Sequence, residues 1–72
     1  MKAVNGTEFS IEFMENITYW KVSCGLNSKL YKKSNCSAKL AFSKASKVFE
    51  GELILRAVTM HGESYPIDIN TL

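Results

Sequence analysis

The sequence predicts a small α+β domain: an antiparallel sheet of four or five strands with one amphipathic helix packed on one face. Three observations predict it. At 100° per residue, Ala38, Ala41, Phe42, Ala45, Val48 and Phe49 of residues 37–49 (SAKLAFSKASKVF) share one arc, and Lys39, Ser43, Lys44, Ser46 and Lys47 take the other side. Leu40 is the one large apolar residue on that polar side. The segments before and after the helix alternate with the period of a strand. Glycine and asparagine pairs stand between them, where chain reversals are needed.

In chain order, Asn5-Gly6 is a turn signal, and residues 7–14 (TEFSIEFM) alternate with Phe9, Ile11 and Phe13 on one face. That pattern predicts a half-buried strand. Glu15-Asn16 supplies a reversal, and residues 17–24 (ITYWKVSC) are rich in β-branched and aromatic side chains, as a strand requires. Of its two faces, Thr18, Trp20, Val22 and Cys24 are expected to meet the helix. A turn over residues 25–28 leads to a short strand over residues 29–33 (KLYKK), whose lysines suit a sheet edge. Ser34, Asn35 and Ser37 each offer an N-cap for the helix, and Gly51 stands where helices stop. Residues 52–60 (ELILRAVTM) read as a central strand, and His61-Gly62 as a hairpin turn. Residues 64–70 (SYPIDIN) read as an edge strand, because Pro66 cannot donate to a ladder. The predicted order is β-β-(β)-α-β-β, one domain over residues 1–72. Phe9, Ile11, Phe13, Trp20, Val22, Phe42, Val48, Phe49, Leu53, Leu55, Ile67 and Ile69 form the expected core.

Seventy-two residues are near the lower limit for independent folding and leave little room for a deep cleft beside a core. An apolar fraction of 46% and a charged fraction of 22% are those of a folded domain. The net charge is only +2, yet its distribution is lopsided. Residues 16–49 hold seven lysines and no acid, and all seven carboxylates lie outside that span. Such a basic middle favours polyanions or acidic proteins as partners.

Cys24 and Cys36 are expected as free thiols of a soluble protein in the cytoplasm of a host cell, with no membrane association. Asn5-Gly6-Thr7, Asn16-Ile17-Thr18 and Asn35-Cys36-Ser37 match the glycosylation pattern, but read as turn and cap chemistry. Cys24, Cys36 and His61 lack the close ligand pair of a zinc site, so no metal and no cofactor is expected. His61 is the only histidine and sits in a turn, Glu8 and Glu12 share a solvent-facing position, and no glycine-rich phosphate loop is present. The residues therefore point away from an enzyme.

Between residues 34 and 69, a serine-capped helix carries Ala38-Lys39 and Ser43-Lys44. Phe49-Glu50-Gly51, a strand, His61-Gly62 and a second strand follow. This arrangement resembles small phage-encoded proteins, anti-CRISPR inhibitors among them. The resemblance implies a protein that occludes a surface of a host defence or nucleic-acid-handling complex and performs no chemistry. The expected site is Lys39, Leu40, Ser43, Lys44 and Lys47 on the helix, with Lys32 and Lys33 at its rim. An apolar residue ringed by lysines suits a protein or nucleoprotein partner. The alternative is direct DNA or RNA binding through the same lysines, and a third reading is a small structural or assembly subunit.

Overall fold

A computed structural model of all 72 residues places one strand, β1 (Ile17–Cys24), at the centre of the molecule. It pairs antiparallel on one side with β2 (Asn27–Lys32) and on the other with β3 (Ile54–Thr59). β4 (Ser64–Pro66) pairs with β3, so the sheet order is β2-β1-β3-β4. The α+β class is as the sequence predicts. β1 and β2 are joined by Gly25-Leu26, and Gly25 has a φ of 61°. A type II′ hairpin needs positive φ at that first position, which glycine adopts without strain.

One face of the sheet is covered and the other is bare. The helix α2 (Ala38–Ser46) lies over the covered face, against β1. Trp20 and Val22 of β1 and Leu55 and Ala57 of β3 meet Ala38, Ala41 and Ala45 of the helix there. The Trp20 indole N–H donates to the Cys36 carbonyl at 2.9 Å, fastening the sheet to the chain that enters the helix. The helix starts where Ser37 caps it, its Oγ accepting from the Leu40 amide at 3.1 Å. Of the three candidate caps, Ser37 is the one used.

The helix is shorter than its 37–49 pattern predicts. It stops at Ser46, and Val48 stands 58% exposed beyond it. Ser46 Oγ donates to the Ser43 carbonyl at 2.7 Å, and the Lys47 amide bonds back only three residues, to Lys44. Serine competing for backbone carbonyls is a known cause of fraying.

Residues 7–14 correct the predicted first strand. They lead into a short helix, α1 (Ile11–Asn16), capped by Ser10, whose Oγ accepts from the Phe13 amide at 3.1 Å. Glu12 in its first turn favours the helix dipole. Phe9 precedes the Ser10 cap and Phe13 lies in the first turn, so the entry into the helix brings the two rings together. Their rings pack at 4.7 Å, and Phe13 meets the edge of Tyr65 at 5.2 Å. Ile11 points away from this cluster and is 80% exposed, contrary to its place in the expected core.

β4 is also shorter than predicted. The chain continues through a bridge between Ala3 and Ile67, which covers part of that edge, and ends in a 3-10 turn (Ile69–Thr71) capped by Asp68. The turn leaves Ile69 exposed. Trp20, Val22, Leu55 and Ile67 are core residues as expected, and Phe9, Phe13, Phe42, Phe49 and Leu53 pack half-buried around them. Ile17, Cys36 and four alanines complete the core.

Two of the three glycosylation-pattern sites act as turn and cap chemistry. Asn5 Oδ1 accepts from the Thr7 amide at 2.9 Å, and Ser37 caps the helix. Both thiols are free. Cys24 ends β1 and donates to the Glu50 carbonyl beyond the helix, whereas Cys36 precedes it; a nine-residue helix, ~13 Å long, separates those two ends.

The Tyr65 hydroxyl donates to Glu63 Oε2 at 3.0 Å. That hydrogen bond raises the phenol above its ordinary 10.0, with smaller contributions from desolvation and the carboxylate charge. Folding thus favours the neutral phenol. The contribution is fully present below pH 10.0 and is lost as pH rises through the raised value. Glu63→Ala should bring the Tyr65 titration back toward its ordinary value, read by tyrosinate absorbance against a Tyr65→Phe reference.

Candidate binding surfaces

The helix side of the molecule gathers five of the seven expected site residues. Lys39, Leu40, Ser43, Lys44 and Lys47 are all exposed on one flank of α2 and just past its end. Leu40 neighbours Ser43, Lys44 and Lys47 at helical spacings of three, four and seven residues. It remains 45% exposed, although the helix beside it is anchored by buried alanines. Leu40 also forms one wall of an open depression of about 490 Å³, whose floor includes Met1, Met14, Trp20 and Cys36. Lys44 leans toward this depression, its ammonium 3.6 Å from Cys36 Sγ.

The two rim lysines are not part of that flank. The Lys33 ammonium donates to the Met14 carbonyl at the end of α1, so it closes the side of the depression. Lys32 pairs with Tyr19 across β1 and β2 and therefore belongs to the opposite, bare face of the sheet. β2 ends at Lys32, and Lys33 opens the turn that follows, so the two neighbours in sequence part company there.

That bare face is a second surface, and sequence reasoning did not assemble it. One cross-strand row reads Leu30, Lys21, Arg56, Pro66, and the next reads Lys32, Tyr19, Val58. Lys21 and Arg56 are direct antiparallel partners at its centre. Both border an open depression of about 370 Å³ with Ser23, Asn27 and Ser28. None of the nine lysine and arginine side chains has a carboxylate within 4.0 Å; the one ion pair joins the N-terminal amine to Glu8. The alternation of β1 marked Lys21 as outward, but only strand pairing brings Arg56 beside it.

Like charges directly opposite each other weaken a sheet. Lys21→Glu turns this repulsion into attraction, and for a half-exposed pair the expected gain is about 0.5 kcal/mol. In a domain of this size that raises Tm by about 2–4 °C, measurable by circular dichroism. An unchanged or lower Tm would show that the two cations do not repel.

No protein-family model, curated protein or solved structure matches this chain. Cys24, Cys36 and His61 lie at the end of β1, ahead of α2 and after β3, and no three potential metal-binding side chains come together. No helix is long and apolar enough to cross a membrane.

Proposed function

We propose that the protein is a small, non-enzymatic binding module whose helix side occludes a surface on an acidic protein or nucleoprotein partner. The observation that supports this reading most is Leu40. It stands exposed at the wall of an apolar-floored depression, with Lys39, Lys44 and Lys47 nearby and free of carboxylates. An apolar anchor inside a ring of charge is the arrangement in which interface energy concentrates. The likeness of residues 34–69 to phage-encoded inhibitors of the anti-CRISPR type supports a partner within a host defence or nucleic-acid-handling complex. Inhibition would then come from steric exclusion, with no chemical step and no cofactor.

The experiment is affinity capture from host extract, followed by titration of the captured partner. Leu40→Ser should weaken that partner's binding about 30-fold, the size of a hot-spot loss, while Tm moves by less than about 2 °C. Unchanged affinity in the Leu40→Ser protein would overturn the proposed interface, as would the capture of no partner.

A further inference from the structure

We infer that the bare sheet face is a binding surface for single-stranded nucleic acid, centred on Lys21 and Arg56. This goes beyond the helix-side reading and stands independently of it. Lys21, Arg56 and Lys32 project from the same face, and none has a carboxylate partner. The Glu63 carboxylate, nearest in sequence to β4, is engaged with Tyr65, which faces the covered side through its contact with Phe13. No carboxylate lies within 4.0 Å of these three cations, and a phosphate backbone complements their charge.

Geometry favours a single strand over a duplex. The face is a sheet surface, where the row through Lys21 and Arg56 spans ~14 Å across four strands. Lys32 stands one row away, ~7 Å along the strand, next to Tyr19. Tyr19 thus stands beside Lys32 and the exposed Leu30 beside Lys21, which suits unstacked bases between phosphates. Ser23, Asn27 and Ser28 at the Lys21–Arg56 depression add hydroxyl and amide donors for phosphate oxygens. Two cations placed against each other also oppose folding, and an anion seated between them removes that opposition.

The test is fluorescence anisotropy of a labelled oligothymidylate of about 15 nucleotides, titrated with the full chain across a salt series. The expected Kd is about 1–100 µM at low salt, with a log–log salt slope of about −2 for three neutralised phosphates. Lys21→Ala/Arg56→Ala should weaken binding at least tenfold and bring the slope to about −0.7, the value left by Lys32 alone. The charge-keeping swap Lys21→Arg/Arg56→Lys should restore affinity to within about threefold of the original, with circular dichroism verifying that each protein is folded. No binding at low salt would overturn the inference and leave this face to an acidic protein. Tighter binding of the matching duplex would overturn it too. So would a larger loss from Lys44→Gln/Lys47→Gln than from the sheet pair, because nucleic acid would then lie on the helix side. Since Leu40 is not on the sheet face, failure here leaves the helix-side interface intact, and the reverse holds as well.

Discussion

Replacing Trp20 with alanine should leave the protein unfolded at room temperature. Trp20 is 2% exposed, the largest fully buried side chain, and lies at the centre of β1 with β2 and β3 on either side. Removing a buried tryptophan costs about 3–5 kcal/mol, because the surrounding core collapses only partly into the space. The Cys36 carbonyl also loses its indole donor, and an unpaired buried acceptor costs about 1–3 kcal/mol more. A core of this size supplies only about 3–5 kcal/mol of net stability. Trp20→Phe separates the two contributions, since it keeps most of the ring and loses the hydrogen bond; about 1–2 kcal/mol should be lost and the fold kept. Far-UV circular dichroism with thermal melting reads both variants. A cooperative melt of Trp20→Ala near the original Tm would show that Trp20 does not hold helix and sheet together.

Ala41→Leu is expected to have the next largest effect, and in the opposite physical sense. Ala41, Ala45 and Ala57 each have no exposed surface, and they lie where α2 meets β1 and β3. Small side chains on both surfaces let the helix approach the sheet closely, so an added isobutyl group has no vacancy to enter. Overpacking of this kind costs about 1–3 kcal/mol. With leucine's slight helix-propensity cost added, a Tm lower by about 10 °C is expected for a chain this short. Ser43→Leu is the control: it places the same side chain on the exposed flank of the same helix, where the change should stay within about 0.5 kcal/mol. If both substitutions lower Tm equally, the close helix–sheet approach is not what limits residue size at position 41.

These two sites show how far the sequence could be read. Trp20 was legible as core because a strand of alternating period places it opposite Lys21, and a tryptophan on the less polar face has one destination. The alanines were legible only as the narrow face of a helix. Val48 on the helix arc and Ile69 on the last alternating segment were expected in the core, yet both end up exposed, because the helix stops at Ser46 and the last strand at Pro66. Residues 7–14 failed for a different reason. Their alternation is real, but Ser10 caps a helix that starts within it, and the entry into that helix brings Phe9 and Phe13 together.

The candidate surfaces divide in the same way. The helix flank with Leu40 among lysines follows from one local period, so five expected residues come together without help from the rest of the chain. Lys32 and Lys33 are adjacent in sequence, and no local pattern states that one joins the bare face while the other is tied to α1. Local periodicity thus set the existence of the helix, the central strands, the turns and the face that carries Leu40. Strand order and register set the rest: Lys21 beside Arg56, Lys32 away from the helix, and buried alanines where helix and sheet meet. Those depend on pairings between residues far apart in the chain, from 13 positions for Tyr19 with Lys32 to 35 for Lys21 with Arg56. Their free energy comes from burying β1 between two neighbours at once, a gain that no single segment contains.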